Sequence, residues 1–200
     1  MAKKMEVSTI SKVIGIAMTI LLVIKIFLAV KLDLYSDEVF YWLESTRFAV
    51  AYSDLPFMTS LLVWLGTSIE TQSTLAVRSI FILMGASIPF LVYWIALPIT
   101  DRRQALLSSA LSMCIPLGGF LGLLAVPDVP LVFFGLLSIG FFERSLRTNK
   151  TIHWLATSIF VILGFCTHYR FFPYPIAAIL FLIVFKPERS QLRNLNFGLR

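Results

Sequence analysis

Three groups of ionisable residues interrupt an otherwise apolar chain. Asp37 and Glu38 are adjacent in "LYSDEVFYWLES", Asp128 lies between two prolines in "LLAVPDVPLVFF", and His168, Tyr169 and Arg170 follow one another in "GFCTHYRFFPYP". Carboxylates accept protons and hydrogen bonds, and a guanidinium binds anions, so the residue types suit a site that handles protons and negative charge. Ionisable groups at the edge of hydrocarbon cost up to about 2.5–3.5 kcal/mol near a helix centre, so they mark function or pairing. Each group also has a plainer reading. Asp37 and Glu38 can offset the dipole of a helix they begin, Asp128 can cap the helix that follows, and Arg170 can snorkel to headgroups beside Tyr169 as a belt aromatic. Arg78 can pair with an acid of the first long loop or bind a phosphate. His153 is a boundary residue at the other end of its helix.

The elements that must position these groups are membrane helices. Hydrophobic residues make up 58% of the 200-residue chain, charged residues 14%, and the mean hydropathy is +0.86, the balance of an integral membrane protein. The net charge of +6 is spread between apolar runs, not gathered in a basic patch with interleaved aromatics, so nucleic acid is not an expected partner. Cys114 and Cys166 both fall inside apolar runs, which argues against a disulfide framework or a thiolate metal site.

Val13 to Val30, after the basic start "MAKK", is longer than a signal-peptide core and lacks a clean cleavage site, so an uncleaved signal-anchor helix is expected. Further expected spans are about Leu75 to Ile99, Ala105 to Ala125, Val129 to Leu146, Ile152 to Cys166 and Phe171 to Phe185, making six. Between the first two, the loop from about Lys31 to Thr74 is too apolar for a linker. Residues 37 to 50 read as an amphipathic interfacial helix, with Val39, Phe40, Leu43 and Val50 on one side and Asp37, Tyr41, Glu44 and Ser45 on the other. Residues 56 to 69 suit a second interfacial or re-entrant helix.

Lys3, Lys4, Lys12, Arg102, Arg103, Arg144, Arg147, Lys150, Lys186, Arg189, Arg193 and Arg200 fall on one set of connections, whereas Lys31, Arg47 and Arg170 fall on the other. The positive-inside rule then puts both termini in the cytoplasm. Asp33, Asp37, Glu38, Glu44, Asp54, Glu70 and Asp128 collect on the outer face with all three polar groups, which suggests one shared outer site.

The order of these motifs, "DLYSDEVFYWLESTRFAVAYSDLPFMTSLLVWLG", then "AVPDVPLVFFGLLSIGFFERSL", then "GFCTHYRFFPYPIAAILFLIVF", resembles the N-terminal half of a GT-C glycosyltransferase. The likeness is to glycosyltransferase family 39, the protein O-mannosyltransferases, and to the aminoarabinose transferases of lipid A, and it runs from about residue 10 to 190. It implies a single all-α, GT-C-like transmembrane domain over residues 1–200, incomplete relative to the family, in a bacterial inner membrane. It also implies inverting transfer of a sugar from a polyprenyl-phosphate donor to an acceptor on the outer face. In that resemblance Asp37 is the general base, Glu38 orients Asp37 or the acceptor, and Arg170, helped by His168 and Tyr169, stabilises the departing lipid phosphate. Asp128 contacts sugar hydroxyls or shapes the first loop. A divalent cation enters only by analogy with other GT-C enzymes, and a partner subunit or a homo-oligomer is implied by the short length. The chain departs from the family pattern at "YSDLPFM", where relatives often carry a His-Pro-Pro-like stretch, and at His168, where many carry lysine. Two other readings fit the same sequence: a noncatalytic subunit or scaffold that keeps the lipid-sugar groove, and a transporter or flippase, against which the one-sided acids and the lack of an internal repeat weigh.

Overall fold

The computed structural model describes residues 6–47, 49–52, 55–71, 73–115 and 122–185. Among them the regular structure is helical: α1 (Val7–Lys31), α2 (Ser36–Ser45), α3 (Met58–Thr67), α4 (Thr74–Ala96), α5 (Arg102–Cys114), α6 (Asp128–Thr148), α7 (Thr151–Phe165) and α8 (Pro173–Val184), with a 3₁₀ turn at Tyr169–Phe171 before α8. The protein is an all-α membrane protein, as its composition requires.

Three helices are long and apolar enough to cross a membrane: α1 with 25 residues, α4 with 23 and α6 with 21. The expected count of six spans is therefore corrected among the described residues. At 1.5 Å per residue, the 13 residues of α5, 15 of α7 and 12 of α8 reach only about 20, 22 and 18 Å, short of a hydrocarbon core of roughly 30 Å. The third expected span, Ala105 to Ala125, stops as a helix at Cys114. Ile115 precedes Pro116 and takes extended backbone (φ −70°, ψ 127°), as a residue before proline must to clear the proline ring. The rest of that span through residue 121, the tail with Lys186, Arg189, Arg193 and Arg200, the starting Lys3 and Lys4, and Asp54 in the loop all lie outside the described residues.

Burial follows from the solvent. In α1 only 17% of the most apolar window is buried in the protein, against 50% in α4 and 44% in α6, so α1 lies at the edge and the other two form the middle. The main core cluster joins Tyr41, Leu62, Val63, Phe81, Val129, Phe134 and Phe171, from α2, α3, α4, α6 and the 3₁₀ turn. α6 and α7 form a helical hairpin whose corner is Asn149, in the left-handed region (φ 51°, ψ 29°), which asparagine tolerates better than most side chains. Near the other end of α4 the Arg144 guanidinium lies 3.5 Å from the Trp94 ring centroid and donates to the Trp94 carbonyl, locking α4 to α6.

The loop between α1 and α4 folds back on this core. α3 buries Met58, Thr59, Ser60, Leu62, Val63, Gly66 and Thr67, so it packs inside the protein at least as much as at an interface. α2 is amphipathic with its faces reversed relative to a helix in water. Glu38, Tyr41 and Ser45, spaced i, i+3 and i+7, are buried, whereas Val39, Phe40 and Leu43 are exposed. An outward apolar face is stable where the surroundings are lipid, and the polar face is then free to build the interior.

Candidate active site

Glu38 is the first of the predicted residues to be fixed. Its backbone sits in the opening turn of α2, where its carboxylate Oε2 accepts from the Tyr35 N–H (2.9 Å), the return bond of a capping box. The same carboxylate receives Arg78 from α4 in a two-pronged ion pair, Nε to Oε1 at 2.8 Å and Nη2 to Oε2 at 2.6 Å. The Ala125 N–H, from the segment preceding α6, donates to Oε1 at 2.8 Å. Arg78 spends its remaining N–H groups on the carbonyls of Ala29 (3.1 Å), Leu32 (2.9 Å) and Asp33 (2.8 Å) at the end of α1. All five guanidinium N–H groups are thus bonded, and both side chains are buried. Burial pushes the Glu38 carboxyl up, but the Arg78 hydrogen bonds, the Ala125 and Tyr35 N–H groups and the Arg78 charge outweigh it and hold the group below the usual carboxylate range.

The Glu38 carboxylate points inward to Arg78, and Arg78 pairs with a loop acid, one of the two readings open for it. Together they pin α1, α2, α4 and the 122–127 segment at one point.

Asp37, one residue earlier, projects about 100° around the helix from Glu38 and is exposed. Its nearest described polar partner is the Ser36 hydroxyl, at a long 3.4 Å from Oδ1. A carboxylate held beside a pinned residue but without a strong bond of its own remains available to an incoming group.

Asp128 and Arg170 come together from α6 and the 3₁₀ turn. Pro127, not Asp128, occupies the cap position of α6, so the Asp128 charge lies in the first turn, favourable to the helix dipole. Its Oδ1 is 3.8 Å from Arg170 Nη1, both side chains being about half exposed. Behind Arg170 stands His168, buried, whose Nδ1 accepts from the Arg170 backbone N–H at 2.9 Å while Nε2 faces Arg170 Nε at 3.2 Å. A neutral imidazole has one acceptor nitrogen only. Burial, then the Arg170 charge, push the His168 pKa down against the pull of Asp128, so the ring is neutral at pH 7. With Nδ1 satisfied by the backbone, Nε2 carries the proton and cannot bond Arg170 Nε. The guanidinium is held in place by Asp128 and sterically backed by His168, with donors left over. Tyr169 is exposed, its ring 4.2 Å from that of His168.

Phe171, fully buried next to Arg170, anchors the turn, stacking on Tyr174 and closing over Gly164 of α7. A Cβ on Gly164 would overlap the Phe171 ring. Gly164→Ala is therefore expected to cost about 1–3 kcal/mol of stability through overpacking, read as a lower melting midpoint in detergent; an unchanged midpoint would show that the ring yields freely.

Tyr41, expected on the same side of its helix as Asp37 but not among the site residues, joins them in the structure. Its ring packs in the cluster with Val129 and Phe171, the chain neighbours of Asp128 and Arg170, and it lies one turn after Asp37. Burial, and then the charges of Asp37, Glu44 and Asp128, raise its phenol to about 12 against the opposing Arg170. The charges of Asp37, Glu44, Asp128 and Arg170 therefore all act on one phenol, although Asp37 and Arg170 are 133 residues apart in the sequence. The i, i+4 spacing from Asp37 was the available signal.

A family model described as dolichyl-phosphate-mannose-protein mannosyltransferase matches residues 54–197, well over half of the chain. The chain belongs to that family. It is accordingly a membrane protein of a glycosyltransferase family. No curated protein and no solved structure matches it. The matched segment holds Arg78, Asp128, His168 and Arg170 and begins after Asp37, Glu38 and Tyr41, so the Glu38–Arg78 pair ties the matched part of this family member to the helix that carries Asp37. Among the described residues no three His, Cys, Asp or Glu side chains converge as a metal-ligand set.

Proposed function

We propose that this family member transfers a sugar from a polyprenyl-phosphate donor to an acceptor hydroxyl on the outer face of a bacterial inner membrane, inverting the anomeric centre, with its termini in the cytoplasm. The reading is supported by an exposed, weakly bonded Asp37 and an Arg170 whose donors are incompletely used, both of whose charges act on the Tyr41 phenol. Asp37 takes the acceptor proton as that oxygen bonds to the anomeric carbon. The bond from that carbon to the phosphate oxygen breaks, and its electron pair leaves with the lipid phosphate, where Arg170 stabilises the added charge. Asp128 holds Arg170 when the site is empty and accepts from sugar hydroxyls when it is filled. His168 and Tyr169 shape the wall behind the guanidinium. Glu38 acts through the backbone it fixes and is a positioning residue.

Arg170→Gln tests the phosphate half of this reading. Turnover of labelled polyprenyl-phosphate sugars by membranes containing the variant is expected to fall about tenfold to a hundredfold, with unchanged protein abundance. Turnover equal to wild type would remove Arg170 from the site.

A further inference from the structure

We infer that the Tyr41 hydroxyl is a sugar-binding group of this site, bonding a hydroxyl of the donor's sugar and so distinguishing a glycosylated lipid phosphate from a bare one. The inference rests on the transferase reading above. Its ground is the pairing capacity of the groups that meet there. Asp37 and Asp128 can only accept hydrogen bonds when ionised, and Arg170 can only donate. A sugar presents hydroxyls that each donate and accept. Tyr41 brings to this cluster a buried group able to do both, where the other such phenol, Tyr169, is exposed.

The fold supports the assignment independently. The Tyr41 ring is buried among Met58, Leu62, Val63, Val129 and Phe171, and packs edge-on against Phe40 with centroids 5.4 Å apart. Its backbone is one turn beyond Glu38, which four hydrogen bonds hold in place. Ring and backbone are therefore fixed, yet no hydrogen bond to the hydroxyl is found among the described residues. A phenol one turn from Asp37, in the cluster that holds the chain neighbours of Asp128 and Arg170, is preorganised for a ligand and contributes little polar bonding to the fold. Because it stays protonated to about pH 12, it donates throughout the working range and cannot compete with Asp37 as base.

Tyr41→Phe removes the hydroxyl and keeps the ring. The full chain in detergent is to be tested for binding of polyprenyl-phosphate mannose, the sugar in the family description, and of the same polyprenyl phosphate without sugar, along with its melting midpoint. The expected result is an affinity loss of about tenfold for the mannosylated lipid only, with binding of the bare lipid and the midpoint unchanged. Equal losses for both lipids would place the hydroxyl on the phosphate and overturn the inference, as would no loss for either. A lowered midpoint would assign the hydroxyl to the fold and overturn it too. These outcomes need no turnover. If the wild type binds both lipids but transfers no sugar, the transferase reading fails while Tyr41 is still tested.

Discussion

Replacing Asp37 by asparagine is expected to lower sugar transfer by about 10²–10⁴-fold while leaving the protein folded and inserted. The amide keeps the size and polarity of the carboxylate but cannot take a proton at neutral pH. Asp37 makes no contact on which the fold depends: it is exposed, and its described polar partner is a serine hydroxyl at 3.4 Å. The loss should fall on kcat more than on KM, because the proton moves only as the new bond forms. Glu38→Gln in parallel separates the two acids, since one is exposed toward the site and the other turned to the core. An Asp37→Asn protein with wild-type turnover would take the general base away from this residue.

The second large effect concerns the Glu38–Arg78 pair. Arg78→Met strands the Glu38 carboxylate, and Glu38→Gln strands the guanidinium, in a place where neither is exposed. Removing one partner of a buried pair costs about 3–5 kcal/mol, a large fraction of the 5–15 kcal/mol that holds a typical domain together. Both variants are expected to melt well below wild type, read by melting in detergent and by protease sensitivity of residues 32–35. The cost is amplified because Arg78 also bonds three carbonyls at the end of α1, and Glu38 holds Ala125 before α6. Acid should act in the same direction. The folded carboxyl is held below its ordinary value of 4.5, so its contribution to stability is complete above that pH and is lost as pH falls through the lowered value. Wild type should therefore weaken more than Glu38→Gln on acidification below 4.5. Identical acid profiles would show that the pair does not govern this dependence.

Much of the molecule was legible because lipid leaves a coarse signature. The three spanning helices follow from run length, and the helices of the first loop follow from apolar segments too short to cross. The shortness of α5 was less legible. Hydropathy runs on through Pro116, but the backbone of Ile115 turns extended before it. The apolar face of α2 was legible at Val39, Phe40 and Leu43, but the helix ends at Ser45, short of Val50, and only packing shows Glu38, Tyr41 and Ser45 turned inward while Asp37 is exposed. Pairing over distance was legible only in part: Arg78 could be expected to meet a loop acid, but nothing local singles out Glu38, 40 residues away, or ties Glu38 to the Ala125 N–H, 87 away. That is also why two adjacent acids of similar chemistry took such different places. A rotation of about 100° between consecutive helical residues sends one to the interior and leaves the other facing outward.

The central claim is that the groups around Tyr41 move a sugar off a lipid phosphate, and the most direct test is the fate of the anomeric carbon. The purified full chain in lipid vesicles would be given a panel of labelled polyprenyl-phosphate sugars with candidate acceptors, and the product linkage read by nuclear magnetic resonance. The account predicts label transferred to an acceptor hydroxyl with inverted configuration, polyprenyl phosphate released in equal amount, and both abolished together in Asp37→Asn. Retained configuration, or intact donors throughout the panel with well-folded protein that binds them, would contradict it.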